Sequence, residues 1–312
     1  MSTRPPIDEL FEKRIVYPDF EPQERLARLV GLDAHIERLK KTLGLLINPA
    51  GLVAWGEKFH PGCSSVLNLV LRRPPLVVLA GDVGSGKSEL AETIGDAVAR
   101  QEHIDITLLP MSLATRGQGR VGEMTQLVSA AFDHAIEEAQ KLRNPHGKAR
   151  GGVILLIDEA DALAQSRESA QMHHEDRAGV NSFIRGIDRI ANQKLPAAVI
   201  MCTNRINALD PAITRRAADI LNFSRPDDAQ RRYILTMSLG PLGLTKTDID
   251  ALVALTGPSG NSDYGLTFSD ITQRLIPTIV LEAYPSHSVE RELAIEVAKR
   301  TIATKPFVEE VK

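Results

Sequence analysis

Eight consecutive residues, Gly81-Asp82-Val83-Gly84-Ser85-Gly86-Lys87-Ser88, carry the most specific chemistry in the sequence. Glycines at 81, 84 and 86 let the backbone bend until successive N–H groups converge on one anion. The Lys87 ammonium supplies charge for the outer phosphates of a nucleotide, and the Ser88 hydroxyl can ligate magnesium. A helix opening at Ser88 adds its positive end. The spacing fills the eight-position phosphate-loop pattern in full, and Glu89, next in line, is counted with the binding segment. An apolar run at 76–80 precedes the loop and an amphipathic stretch at 89–100 follows it, the strand–loop–helix context this chemistry needs.

A phosphate loop alone does not say what becomes of the phosphate. The run Val153-Ile154-Leu155-Leu156-Ile157 ends in two adjacent carboxylates, Asp158 and Glu159. Asp158 is placed to hold the magnesium shell, and Glu159 to take a proton from an attacking water. A phosphotransferase acting on a bound acceptor has no special need for that second acid. The pattern therefore points to hydrolysis of ATP with Mg2+.

The elements that position these groups show as patterning. Apolar runs at 76–80, 104–108, 153–157 and 197–202 have the character of strands covered on both faces of a parallel sheet. Helical periodicities at 89–100, 123–141 and 180–190 separate them, which predicts right-handed βαβ units and a layered αβα domain. Apolar residues also recur at helical spacing over 30–45, with Asp33 as an N-cap. Past Ser224-Arg225-Pro226-Asp227-Asp228 everything reads as helix: 228–238, 247–256, 267–283 and 289–301. Gly257 stands where a helix ends, and Ser286 or Ser288 could cap the last one. The expected organisation is an arm at 1–29, a large α/β domain at 30–224 and a small all-helical lid at 225–312.

Composition bounds the rest. The 312 residues carry a formal charge of −3, with 43% hydrophobic and 25% charged residues, which is the balance of an ordinary globular chain. That charge leaves no footprint for nucleic acid or an anionic membrane. No apolar stretch approaches the roughly 18–20 residues that span a bilayer. The start, Met1-Ser2-Thr3-Arg4, is polar, so the expected location is cytoplasmic. Of the two cysteines, Cys202 lies in a buried-strand run, which argues against a disulfide framework. His173-His174-Glu175 invites a metal reading, but adjacent histidines project differently and no third ligand is evident. A polar, substrate-facing loop over 165–178 is the better expectation.

Taken in order, these motifs resemble the AAA+ ATPases over about residues 28–290. Val30-Gly31-Leu32-Asp33 is similar to the segment that opens the AAA module, where the backbone at Val30 and Gly31 would contact adenine. Thr203-Asn204 resembles the first sensor, implying that the Asn204 amide orients the hydrolytic water. Asp210-Pro211-Ala212-Ile213-Thr214-Arg215-Arg216 resembles the arginine-finger segment, which acts in a neighbouring subunit's site. Either Arg215 or Arg216 could be the finger, with Arg216 favoured. Ser269 falls where many relatives keep a second-sensor arginine, which resembles the AAA subgroup proper and disfavours loaders of nucleic acid.

The segment Arg120-Val121-Gly122 resembles the first pore loop of AAA unfoldases, with Arg120 replacing the usual aromatic. Finer matches at Asp158-Glu159-Ala160-Asp161-Ala162-Leu163, at 180–190 and at Thr214-Arg215-Arg216-Ala217-Ala218-Asp219-Ile220 resemble the HORMA-remodelling branch, the pachytene-checkpoint type. The absence of a sizeable adaptor-binding domain before residue 30 is similar to its bacterial form. The resemblance implies a homo-hexamer that draws a segment of a HORMA-domain protein into its pore. It also implies a link to a cyclic-nucleotide synthase in antiphage signalling. A general unfoldase is the alternative, disfavoured by Arg120, and an ATP-gated scaffold is another, disfavoured by Glu159, Asn204 and the arginines.

Overall fold

The computed structural model describes residues 10–113, 123–144, 148–164, 174–204, 210–258 and 264–306. It divides into two compact units. The first comprises Met1–Arg28, Ala34–Ala80 and Ser88–Asn222, and the second Leu29–Asp33, Gly81–Lys87 and Phe223–Lys312.

The first unit is built on a six-stranded sheet, numbered β1 (Ile15–Tyr17), β2 (Leu76–Gly81), β3 (Asp105–Ser112), β4 (Gly151–Asp158), β5 (Ala197–Thr203) and β6 (Ala217–Phe223). Their order across the sheet is β1-β3-β4-β5-β2-β6. Strands β3, β4, β5 and β2 run parallel, and β1 runs antiparallel to β3. Strands β2 and β5 are buried at every residue. An apolar run covered on both faces can sit only in the middle of a layered sheet, so the α/β fold is the one the alternating pattern predicts.

The helices of this unit are α1 (Phe20–Ala27), α2 (Asp33–Ile47), α3 (Ala50–Phe59), α4 (Ser64–Leu71), α5 (Lys87–Glu102), α6 (Glu123–Leu142), α7 (Asp161–Ala164), α8 (His174–Gln193) and α9 (Pro211–Thr214). Helices α6 and α8 meet through buried Phe132 and Phe183, whose rings stand edge to face at 5.7 Å. A methyl group at Gly186 would lie 2.3 Å from the Phe132 ring, so the glycine sets how closely the helices approach.

Several elements depart from the sequence reading. The arm is not only loop and helix, because Ile15–Tyr17 pairs with β3 in the register Val16↔Thr107. Tyr17 is fully buried, and its hydroxyl donates to the Glu92 carbonyl on α5. Strand β6 does not show as an apolar run in the sequence, because Asp219 interrupts it. That carboxylate is buried by pairing with Arg38 of α2, at 2.5 and 2.7 Å. Helices α3 and α4 likewise lie outside the helical patterns of the sequence. Asp33 is the first residue of α2 rather than the cap before it.

The second unit carries α10 (Asp228–Leu239), α11 (Lys246–Thr256), a π-helical stretch (Asp270–Leu275) running into α12 (Ile276–Ala283), and α13 (Arg291–Arg300). Ile234, Leu235, Leu252, Ile271, Leu275, Ile279 and Val297 are among the residues of its own core. Reciprocal capping boxes open α10 (Asp227 with Gln230) and α11 (Thr245 with Asp248), and Gly257 stands at the end of α11 as expected. Neither Ser286 nor Ser288 caps α13, whose N-cap is Glu290 without a side-chain cap bond.

Candidate active site

The phosphate loop leaves β2 and enters α5 within seven residues. Gly84 and Gly86 adopt φ of +70° and +93°, in the left-handed region that glycine alone enters without strain. At Gly81 a side chain would strike the backbone, since a methyl group there would lie 2.2 Å from the Phe223 carbonyl oxygen. The buried Lys87 ammonium donates to the carbonyls of Gly81 (2.9 Å) and Asp82 (2.7 Å), and Ser85 Oγ donates to Asp82 O (2.7 Å). The loop is thus a closed ring of its own hydrogen bonds around one cation. Val83 and Ser88 are exposed.

The segment Leu29–Asp33 belongs to the same compact unit as the loop. Leu32 and Leu29 face Gly86, where a methyl group would lie 3.3 Å from Leu32 Cδ1. Gly31 has φ +71°, and its carbonyl accepts from Gln230 Nε2 at 3.2 Å. Val30 packs against the helical core. On the other side, Ser269 N donates to Gly84 O at 3.2 Å. A Cβ on Gly84 would lie 2.8 Å from Thr267 Oγ1 and 3.0 Å from the Ser269 Cβ, so the position the sequence marks as a substituted sensor lies against the loop, and Gly84 itself has no room for a side chain.

The remaining groups stand in the first unit. Register pairs Ala80 with Thr203 and Ile157 with Met201, so the carboxyl ends of β2, β5 and β4 lie side by side. Ligands bind at such an edge in open parallel sheets. Asp158 ends β4 half-buried and accepts from Glu159 N at 2.8 Å. Glu159 is exposed at φ +51°, a conformation that costs a non-glycine residue energy and that clusters at functional positions.

Asn204 follows β5, with its amide nitrogen donating to Asp161 Oδ2 (3.0 Å) and its backbone N–H to Asp161 Oδ1 (2.7 Å). Thr203 Oγ1 donates to the same carboxylate at 2.8 Å. Sequence reasoning missed this role of Asp161, although its place three residues after Asp158, opening α7, was the available signal. Glu89 is gripped by Arg25 of α1 through two bonds of 2.8 Å.

The two candidate fingers differ. Arg216 forms a bidentate pair with Asp188 of α8, at 2.7 and 2.9 Å, and that hydrogen bonding holds its pKa above the ordinary arginine value. Arg215 is exposed and its side chain makes no hydrogen bond or ion pair among the described residues. Of the two guanidinium groups, Arg216 is the one tied to a carboxylate of its own chain.

Arg120, Val121, Gly122 and residues 165–173 of the polar loop lie outside the described residues. Neither Cys63 nor Cys202 is in a disulfide, and Cys202 is buried. No helix among the described residues is long and apolar enough to cross a membrane.

The profile of the ATPase family associated with various cellular activities (AAA) matches residues 77–225. The chain is 69% identical over 309 residues to CD-NTase-associated protein 6 of Escherichia coli (strain MS 115-1), spanning 99% of each. It superposes on a chain of the solved E. coli MS115-1 HORMA:CdnC:Trip13 complex with a TM-score of 0.89 at 68% identity, covering 98% of this chain and 100% of that one. Against the solved Rhizobiales Trip13 the TM-score is 0.73 at 54% identity, covering 95% and 100%. The chain belongs to the AAA ATPases and, within them, to the Trip13-like branch that includes CD-NTase-associated protein 6. Nucleotide binding and ATPase activity come with that membership.

Proposed function

We propose that this ATPase is a homo-hexameric remodeller of a HORMA-domain protein, and that its action releases a cyclic-nucleotide synthase bound to that protein. The observation that carries the reading is the 69% identity with CD-NTase-associated protein 6 along nearly the whole of both chains. The match to a chain of the HORMA:CdnC:Trip13 complex supports the same partners. In this reading ATP lies on 81–89, with the backbone at Val30 and Gly31 against the base. The positive-φ glycines and the Lys87 position fit a triphosphate cradle. Ser88 and Asp158 would hold Mg2+, which would supply positive charge against the phosphates of the nucleotide.

Glu159 takes the proton of the attacking water. Asn204, steadied by Asp161, orients that water, and Arg215 of a neighbouring subunit offsets charge at the transferred phosphoryl group. The change at the subunit interface is passed to a peptide segment held by Arg120, Val121 and Gly122 in the pore. The setting proposed is cytoplasmic antiphage signalling, with no nucleic acid or membrane engaged.

The test uses the full chain with a HORMA-domain protein and its cyclic-nucleotide synthase. ATP should dissociate the HORMA–synthase complex in the presence of the wild type and not of Glu159→Gln, followed by size exclusion and by synthase output. Dissociation that is independent of ATP, or none at any ATP concentration, would sink the proposal.

A further inference from the structure

The second position of the phosphate loop holds a carboxylate. Asp82 sits between Gly81 and the glycine turn at 84, on a loop whose N–H groups are arranged for an anion. Left unpaired, it would oppose the ligand the loop is built to hold. It is not left unpaired, because Arg225 Nε donates to Asp82 Oδ2 at 2.6 Å. Both side chains are largely buried, at 14% and 17% exposure, so the interaction is weakly screened by solvent.

The rest of the guanidinium is equally committed. Nη1 donates to the Gly265 carbonyl at 2.6 Å and Nη2 to the Thr304 carbonyl at 2.7 Å, while the Tyr264 ring stacks against the group at 4.8 Å. Thr304 is anchored in turn, with its N–H and hydroxyl donating to Asp270 at 3.0 and 2.7 Å. The planar, five-donor fork of an arginine can serve a carboxylate and two carbonyls on its different edges at once. All these residues lie in the second compact unit, together with the loop. The backbone carbonyl of the same Asp82 is the closer of the two that hold Lys87 Nζ.

We propose that Arg225 is a positioning residue of the nucleotide site. It neutralises Asp82 and ties the phosphate loop to the segments at Gly265 and Thr304, so that the carbonyl supporting Lys87 keeps its place. This rests on the reading of 81–88 as the nucleotide site. Arg225 has its Nε, Nη1 and Nη2 committed to Asp82, Gly265 and Thr304. It acts through Asp82, and the C-terminal stretch at 301–306 thereby acts on the loop as well.

A charge-removal series on the full chain tests the idea, read by calorimetric titration with ADP and by KM and kcat for ATP. Arg225→Gln keeps hydrogen-bond donors but loses the charge, and is expected to weaken ADP binding roughly tenfold or more, with KM rising more than kcat falls. Asp82→Asn in the Arg225→Gln background removes the stranded carboxylate and should restore binding to within a few-fold of the wild type. If Arg225→Gln binds ADP as the wild type does, or if the double variant binds as weakly as Arg225→Gln alone, the positioning role is overturned. Lys87→Ala separates the two levels of the argument. Undiminished ADP binding there removes the reading of the loop itself, whereas lost binding without rescue in the double variant removes only the role of Arg225.

Discussion

Glu159 joins two properties that a surface acid does not need together, a left-handed backbone and a place at the carboxyl end of a buried strand. Glu159→Gln is expected to lower the rate of phosphate release by roughly a hundredfold or more while nucleotide is still bound, the loss typical of a missing general base. A normal rate would remove Glu159 from the chemistry. Asp161 acts one step back, because it fixes Thr203 and Asn204 through three hydrogen bonds. Asp161→Ala should reduce kcat roughly ten- to a hundredfold, the usual scale for loss of a supporting partner, with little change in KM for ATP. An equal rise in KM would mean that Asp161 supports the fold or the binding step and not the orientation of water. These two carboxylates also mark how much of the site the sequence shows. The phosphate loop and the Asp158-Glu159 pair are local in the chain, so spacing alone exposes them. Asp161 and Arg225 act through partners 43 and 143 residues away, at Asn204 and Asp82, and no local pattern reports such a partner.

At the scale of elements, legibility followed burial. Strands β2 to β5 are covered on both faces and read as unbroken apolar runs, whereas β1 is three residues long and β6 is interrupted by Asp219. The carboxylate of Asp219 belongs in the interior only because Arg38, 181 residues earlier, meets it there. Helices α3 and α4 leave Trp55, Phe59, Val66 and Leu69 exposed, so their apolar residues do not fall on one buried stripe. Where helices pack closely, a glycine reports the contact. Gly186→Ala should destabilise the first unit by about 1–3 kcal/mol, because its methyl group would enter the Phe132 ring. Urea titration should show a lower midpoint with an unchanged slope.

Asp270 gives the second unit a pH dependence. Burial pushes its pKa up, but hydrogen bonds from the backbone and hydroxyl groups of Thr267 and Thr304 outweigh burial and hold it below the ordinary value. A lowered folded pKa adds stability above about pH 4, and that stability is lost as pH falls further. Asp270→Asn should therefore flatten the acid limb of the thermal midpoint below about pH 4. An unchanged acid limb would place the dependence on other groups.

The whole molecule is where the two arginines must be told apart. Arg216 is occupied by Asp188 within its own chain, while Arg215 stands exposed one residue earlier, at the end of α9. In a ring of head-to-tail interfaces each nucleotide site would take Glu159 from one subunit and its finger from the next. Arg215→Ala and Glu159→Gln should each be nearly inactive alone, for opposite reasons. The first keeps a working proton acceptor but offers no finger, and the second offers the finger but cannot use its own site. Mixed in equal amounts before assembly, the two variants form about one intact interface in four if subunits combine at random and interfaces are head-to-tail. ATPase activity should then rise above that of either parent, pass through a maximum near equal proportions, and fall again on both sides. The same titration with Arg216→Ala in place of Arg215→Ala should show no such maximum, since a residue bound to Asp188 acts within its own subunit and its loss is not made good by a neighbour. A maximum for Arg216→Ala and none for Arg215→Ala would reverse the assignment, and none for either would remove the shared site that the hexamer proposal requires.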